Sequence, residues 1–160
     1  MMANSDALQP QLDQRGFTLI EMLIVISIIG MLASVVLVGS GSFRSRGRDA
    51  RRLADLHQAR TALELYFTGK SGYPNVTGWS AMEGAIINAN IGVFSLSNDP
   101  LNVQTGATYD YAPGNCAGSI CLNYVMTATL EDPTNPALDN SPIGTIYGID
   151  CDTPVYCVQF

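Results

Sequence analysis

Residues 71–160 contain no lysine or arginine. All eight basic residues lie between Arg15 and Lys70, so the C-terminal part of the chain carries only acidic charges. Because the phosphates of nucleic acids are bound by basic surfaces, this distribution argues against a nucleic acid partner. It remains compatible with a bound cation.

The patterns of common catalytic sites are also absent from the sequence. The chain has one histidine, His57, and it shows no Ser/His/Asp set, no HExxH motif and no glycine-rich phosphate loop. A single histidine on a predicted helix, without partner residues, is typical of an exposed or structural position. The sequence therefore predicts that the protein is not an enzyme and needs no cofactor, apart from the calcium ion considered below.

The segment Phe17–Val38 lacks charged side chains except for Glu21. Its roughly 22 residues would form roughly 33 Å of helix, which is enough to cross the hydrocarbon core of a membrane and too long for a cleavable secretory signal. A cut after Gly16 would leave a free amine on Phe17, one helical turn from Glu21. The carboxylate could then pair with that amine on its own chain or on a neighbouring chain, which would offset the cost of a charge in lipid. The alternative is a simple anchor that tolerates one charge near its end.

The stretch "RGFTLIEMLIVISIIGMLAS" resembles the class III leader and N-terminal helix of the type IV pilin and pseudopilin superfamily. The resemblance rests on Gly16 before the cut, Phe17 after it, Thr18, and Glu21 at the fifth mature position. It implies that a prepilin peptidase cuts after Gly16 and methylates the new amine of Phe17, and that Glu21 sets the register of subunits in a filament. Residues 1–16 would then be the leader and residues 17–42 the transmembrane and filament-core helix.

A cluster of arginines follows the apolar segment: Arg44, Arg46, Arg48, Arg51 and Arg52. By charge bias alone, this cluster would keep the C-terminal side in the cytoplasm. The resemblance instead implies that the C-terminal part faces outward. Three interpretations of the cluster stay open: contact with anionic lipid, contact with the acidic head of an adjacent subunit, or a solvated basic face.

Residues 43–70 are predicted to be an amphipathic continuation of the helix and residues 71–160 a globular head with an antiparallel sheet, which together make an α+β fold. Leu53, Leu56 and Leu63 recur at helical spacing, which indicates that residues 43–70 continue the first helix as an amphipathic segment, about fifty helical residues in all. A short helix is predicted around residues 80–89. The alternating stretches "TYDYAP", "ICLNYVMTATLE", "IGTIYGID" and "VYCVQF" predict three or four antiparallel strands that pack on the helix. This long helical spine on a small antiparallel sheet is the pilin fold that the resemblance implies.

The four cysteines, Cys116, Cys121, Cys151 and Cys157, all lie in the head. An even number beyond a membrane segment indicates disulfides formed in an oxidising compartment. A zinc site is the alternative, although zinc ligands are usually more closely spaced. Three connectivities exist, and we expect local pairing, Cys116 with Cys121 and Cys151 with Cys157, because each pair closes a small loop.

Acidic residues near the C-terminus could bind calcium. Asp139, Asp150 and Asp152 offer the oxygen ligands that Ca²⁺ requires, and major pseudopilins of the resembled superfamily commonly bind calcium in a C-terminal loop. No ligand pattern can be matched residue by residue. Acidic loops are usually solvated, and that interpretation stays open.

These features predict a structural subunit of a type IV pilus or pilus-like filament. By resemblance, its partners are other copies of the chain, the prepilin peptidase, minor pilins, an inner-membrane assembly platform with its ATPase, and membrane lipid before assembly. It would sit in the cytoplasmic membrane as a single-pass protein with its head outward, and later in a surface or periplasmic filament. The alternatives are a pseudopilin of a secretion or competence system and, from another class, a monomeric signal-anchored envelope protein with a ligand-binding head.

Overall fold

The computed structural model describes residues 16–160, apart from the side chains of residues 35–42. The chain divides into two compact units, residues 1–40 and residues 41–160. The predicted leader, except for Gly16, lies outside the described residues, as do the side chains of the last part of the predicted span Phe17–Val38. The two units are described separately below.

The first unit contains the start of a long helix, α1, Leu19–Lys70. Its 52 residues agree with the predicted helical spine of about fifty, although the helix begins at Leu19 and Phe17 precedes it. Among the described residues, no helix has the length and apolar character needed to cross a membrane.

In the second unit, α1 contributes one face to the core. Leu56, Ala59, Ala62 and Leu63 are buried on this face, at the spacing of an amphipathic helix. The predicted leucine pattern is thus confirmed at Leu56 and Leu63, whereas Leu53 is half-buried.

The head consists of two further α-helices, one 3-10 helix and five strands. These elements are α2 (Trp79–Asn88), α3 (Asn102–Thr105), β1 (Asp110–Ala117), β2 (Ile120–Thr129), a 3-10 helix (Pro136–Asn140), β3 (Thr145–Ile146), β4 (Ile149–Asp150) and β5 (Val155–Gln159). The main sheet is antiparallel with the order β1-β2-β5. Its core against α1 and α2 is rich in buried tyrosines: Tyr73, Tyr109, Tyr111 and Tyr124. The predicted α+β class is confirmed.

One predicted strand has a different structure. The stretch "IGTIYGID" does not join the main sheet, because it folds back on itself as a separate two-stranded hairpin of β3 and β4. Tyr147 and Gly148 form its two-residue turn, with φ values of 48° and 86°. Positive φ at both central residues is the mark of the tight turn that matches the twist of a hairpin. The alternation of apolar residues correctly predicts extended chain. It does not predict the reversal, because tyrosine is an unusual residue for such a turn.

Candidate processing and assembly site

The predicted cut lies in a non-helical segment immediately before α1. Residues 16–18 have no regular secondary structure, and Phe17 is 81% exposed. The bond between Gly16 and Phe17 therefore lies outside α1, between two exposed residues. A peptide bond inside a helix would have to unwind before a peptidase could bind it.

Thr18 and Glu21 bond to each other across the first turn of α1. The backbone N–H of Thr18 donates to Glu21 Oε2 at 2.8 Å, and its hydroxyl donates to the same oxygen at 2.6 Å. The N–H of Glu21 in turn donates to Thr18 Oγ1 at 3.3 Å. This reciprocal arrangement is a capping box, and it explains why the helix begins at Leu19.

Apolar surface surrounds this polar pair. From Phe17 to Leu32, the large apolar side chains are between 46% exposed, at Met22, and 81% exposed, at Phe17. Glu21 is the only charged side chain among residues 16–34. The site therefore offers a largely apolar helical surface with one carboxylate at its start.

A second polar site, which the sequence did not predict, lies where α1 enters the core of the head. Arg52 is 2% exposed, and its guanidinium donates to Asp99 Oδ2 at 2.7 Å, Asp49 Oδ1 at 2.8 Å and Glu131 Oε1 at 2.8 Å. Arg48 also binds Glu131, with 2.7 Å from Nε to Oε1. We call these five residues (Arg48, Asp49, Arg52, Asp99 and Glu131) the ion cluster. It joins α1 to two distant loops of the head.

Asp49 is completely buried at the centre of the ion cluster. Besides its bond to Arg52, it accepts the backbone N–H groups of Glu131 at 2.9 Å and Asp132 at 3.0 Å. The carboxylate thereby provides hydrogen-bond acceptors for the backbone N–H groups just after the end of β2. A buried charge is tolerated only when it is paired and hydrogen-bonded in this way.

The charges of the ion cluster stabilise one another. Burial alone would lower the pKa of Arg52, but the carboxylates of Asp99, Glu131 and Asp49 raise it above the usual arginine value. The hydrogen bond from Arg48 is the main cause that lowers the pKa of Glu131 to about 2, against the opposing effect of burial. Arg52 and Glu131 therefore carry their charges at neutral pH.

The predicted arginine cluster is thus largely engaged within its own chain. Beyond Arg48 and Arg52, Arg46 lies 3.6 Å from Asp132 and Arg51 lies 3.8 Å from Asp55. A sequence signal for the buried member existed: Arg52 precedes Leu56, Ala59 and Leu63 on the same helical face, which places a charge on the buried stripe. Its acidic partners, far along the chain, gave no such signal.

Both disulfides pair as predicted. Cys116 and Cys121 face each other on β1 and β2 and close the turn between these strands. Cys151 and Cys157 join the chain after β4 to β5. The described residues contain no free cysteine.

The three calcium candidates lie in two places. Asp139 belongs to the 3-10 helix and lines a polar groove of about 480 Å³ together with Arg60 and residues of β5. Asp150 ends β4 and accepts the backbone N–H of Asp152, and Asp152, just after the hairpin, accepts the backbone N–H of Gly144. Within residues 16–160, no three His, Cys, Asp or Glu side chains are arranged to hold a metal ion. His57 is exposed on α1.

Comparison with known proteins identifies the class of the N-terminal segment. Residues 12–37 match the family model of the prokaryotic N-terminal methylation motif. This range contains Gly16, Phe17, Thr18 and Glu21, the residues at the capping box and at the predicted cut.

Two fimbrial relatives extend the similarity into the head, and a third relative matches a shorter stretch. A probable minor fimbrial protein of Dichelobacter nodosus is 36% identical over 120 residues, 66% of this chain and 74% of that protein. The type IV major fimbrial protein FimA of the same organism is 28% identical over 84% of this chain and 78% of its own length. The type II secretion system core protein G of Pectobacterium carotovorum subsp. carotovorum is 34% identical over 39% of this chain and 40% of its own length. No solved structure matches the chain.

The chain belongs to the type IV pilin and pseudopilin superfamily. The motif, the long first helix and the small antiparallel sheet with its two local disulfides agree in this assignment.

Proposed function

We propose that this chain is a prepilin that is cut between Gly16 and Phe17, methylated on the amine of Phe17, and assembled as a structural subunit of a type IV pilus or pilus-like filament. One observation carries the proposal: the methylation motif falls where the helix begins, with an exposed non-helical bond just before it. The fimbrial relatives, which match along most of their length, support the same role.

The apolar surface of residues 17–34 is the assembly surface in this proposal. Burial of apolar surface yields about 25 cal/mol per Å², so side chains that are half exposed or more have a large free energy to gain from a new environment. Membrane lipid supplies that environment first, with the chain as a single-pass anchor in the cytoplasmic membrane and the head outward. The helices of other copies supply it later, in the filament.

Glu21 sets the register of the helices in this proposal. A carboxylate surrounded by apolar side chains needs a cationic partner when the helices pack, because an unpaired charge in an apolar environment is costly. The amine of Phe17, once the leader is removed, is that partner. We propose no catalytic step and no cofactor for the protein.

The proposed cleavage, membrane anchoring and assembly imply a set of partners. The prepilin peptidase removes the leader, the inner-membrane platform with its ATPase drives assembly, and minor pilins and further copies of the chain contact it in a filament at the surface or in the periplasm. The acidic head gives no basic surface for nucleic acid.

A pseudopilin is the second candidate, favoured by the similarity to the secretion core protein G. That similarity covers less than half of either chain, whereas the fimbrial relatives match most of both chains. Long filaments sheared from the native host and containing this chain would support a pilus, and short periplasmic filaments would support a pseudopilin.

The first experiment is to determine the N-terminus and intact mass of the protein from membranes of its native host. We expect a chain that begins at N-methylated Phe17, with all four cysteines oxidised. A chain that begins at Met1 would contradict the proposal and favour a monomeric envelope protein.

Replacement of the register carboxylate tests assembly separately. We expect Glu21→Ala to be cut normally and to yield few or no filaments, because the amine of Phe17 loses its partner. Asp139→Ala is the matched control, since it removes the same charge from an exposed position of the head. Normal filaments from Glu21→Ala would contradict the role of Glu21, and cut protein counted by mass spectrometry shows that processing is intact.

A further inference from the structure

We propose that the open edge of β5 pairs with the same edge of a second copy of this chain, so that two heads join through one continuous sheet. The polar groove of about 480 Å³ beside this edge is the docking surface, and across it Arg60 of each copy meets Asp139 of the other. The inference goes beyond the proposed function and does not depend on it, because the groove belongs to the head alone.

The unpaired backbone groups of β5 define the contact. β5 lies at one edge of the main sheet, where the N–H of Phe160 donates to the C=O of Tyr124 on β2. Because the backbone groups of an antiparallel strand alternate in direction, those of Cys157 and Gln159 point away from β2. The N–H of Cys157 donates to Ser141 Oγ at 2.9 Å, whereas both groups of Gln159 lack a partner in the described part of the chain. An open strand edge of this kind is a template for pairing with another chain.

Ser141 restricts the register in which a second strand can pair. Pairing opposite Cys157 would need the N–H that Ser141 already occupies. Pairing of Gln159 with Gln159 of the second copy needs only the free groups and gives two hydrogen bonds, one in each direction. An antiparallel contact centred on one residue has two-fold symmetry, so the same surface serves on both sides.

The charges beside the edge fit this symmetry. Arg60 and Asp139 are exposed, line the same groove, and form no hydrogen bond or ion pair within the described residues. Burial raises the pKa of Tyr124 to about 12 and the charge of Arg60 opposes this shift, which places Arg60 near Tyr124, at the C-terminal end of β5. Asp139 lies towards the other end, two residues before Ser141. A two-fold rotation about Gln159 exchanges these ends and therefore brings Arg60 of one copy to Asp139 of the other.

The pairing also covers apolar surface. Phe160 is 53% exposed beside the open edge, whereas Val158 is largely buried. With Gln159 opposite its counterpart, Val158 of each copy lies directly across from Phe160 of the other, in the kind of pair whose side chains approach most closely. Burial of the exposed part of the ring adds a stabilising contact at each end of the paired strands.

The symmetry also determines which copies can pair. The two-fold axis of an antiparallel strand pair is perpendicular to the sheet, and α1 packs on one face of that sheet. The rotation therefore makes the head segments of α1 run in opposite directions in the two copies. Copies within one helical filament repeat in a single direction. The contact consequently joins heads of two filaments, or of two free chains, and takes no part in the assembly of a single filament.

The first experiment tests the contact by a disulfide across the axis. Gln159→Cys is made in the full-length chain, solubilised in excess detergent and oxidised with copper phenanthroline, and covalent dimers are measured by non-reducing electrophoresis. We expect dimers, because directly opposite residues of this kind are about 5.5 Å apart between Cα atoms, within the reach of a disulfide. Val103→Cys, at a position of α3 that is 98% exposed, is the control for random collision. Equal dimer yields from the two variants would overturn the inference.

Charge exchange tests the partners within the same cysteine variant. Arg60→Asp and Asp139→Arg, each alone, should lower the dimer yield about tenfold, because symmetry removes two ion pairs at once and replaces them with like charges. The two substitutions together should restore the yield. Unchanged yields in the single variants, or no recovery in the double variant, would overturn the inference.

The same charge variants, without the added cysteine, are then expressed in the native host. Each should yield the natural amount of filaments, and electron microscopy should show fewer side-by-side contacts between filaments than in the natural strain. Side-by-side contacts at the natural level would contradict the placement of the contact between filaments. If the natural chain forms no filaments, the proposed function fails, and the disulfide in detergent still decides whether the heads pair through β5.

Discussion

The carboxylate of Glu21 bonds to a residue three positions away, whereas the carboxylate of Asp49 bonds to backbone groups 82 and 83 positions away. Both lie on α1. Around Glu21, the apolar side chains are exposed and the one charge is bonded locally. Around Asp49, Arg52 and Asp99 are buried, Arg48 and Glu131 are partly exposed, and the bonds join α1 to distant loops of the head.

This difference separates two ways of stabilising one helix. In residues 16–34, the described hydrogen bonds of side chains stay within one helical turn, and the large apolar side chains are exposed. In residues 48–63, the helix is stabilised by the core and the ion cluster. Substitutions in the ion cluster should therefore unfold the head and spare the capping box.

The largest effect is expected for Arg52→Met. The change leaves Asp49 and Asp99 buried without their cation, which typically costs about 3–5 kcal/mol. The measurement is the free energy of unfolding of the head in the detergent-solubilised full-length chain, followed by the near-ultraviolet signal of its buried tyrosines during denaturation with urea.

Arg51→Met is the matched control for this prediction. The Arg51 side chain is 61% exposed and lies 3.8 Å from Asp55, so the same substitution should cost less than about 1 kcal/mol. Equal effects of the two substitutions, or faster amide hydrogen exchange at Thr18 in Arg52→Met, would break the distinction between the two regions.

The distinction between bonds to sequence neighbours and bonds to distant residues also explains which features the sequence predicted. The start of α1 near Phe17, the strands around Tyr111 and Tyr124 and both disulfides depend on neighbours along the chain, and the sequence patterns predicted them. The ion cluster depends on Asp99 and Glu131, which lie 47 and 79 residues from Arg52 and carry no pattern that links them to it. The sequence also did not predict the turn at Tyr147, because tyrosine rarely adopts the positive φ that this turn requires.

An intermediate effect is expected where that hairpin meets the sheet. A Cβ at Gly114 would overlap the ring of Tyr147, so Gly114→Ala must displace the ring and should cost about 1–3 kcal/mol. Tyr147→Asn keeps a residue that favours positive φ in the turn and removes the ring. In that background, Gly114→Ala should cost little, and a double-mutant cycle on the free energy of unfolding measures the difference.

Additive effects of the two substitutions would contradict this contact. They would show that the ring of Tyr147 does not rest on Gly114 and that the turn needs no support from β1. A large interaction energy would show that the hairpin, like the ion cluster, is stabilised by contacts between residues that are distant in the sequence.

The smallest effect is expected from acidification. The pKa of Glu131 is about 2 in the folded head, below its value of 4.5 in an unconstrained chain, so its contribution to stability is present above pH 4.5 and is lost as the pH falls towards 2. Between pH 7 and pH 4, the loss should be under about 1 kcal/mol, and solvent around this partly exposed side chain reduces it further. The measurement is the Tm of the head as a function of pH.

Glu131→Gln should lower the Tm at pH 7 and flatten its fall below pH 4.5, because the variant has no proton to take up at this position. Some acid sensitivity should remain, since the bonds from Arg52 and Thr134 also keep the pKa values of Asp99 and Asp132 below the usual range. Asp139→Asn, an exposed acid outside the ion cluster, is the control and should keep the full pH dependence. If the Tm values of Glu131→Gln and Asp139→Asn fall with pH in the same way, Arg48 and Arg52 do not stabilise the charge of Glu131. The carboxylate would then behave as a solvated surface charge and not as a member of the ion cluster.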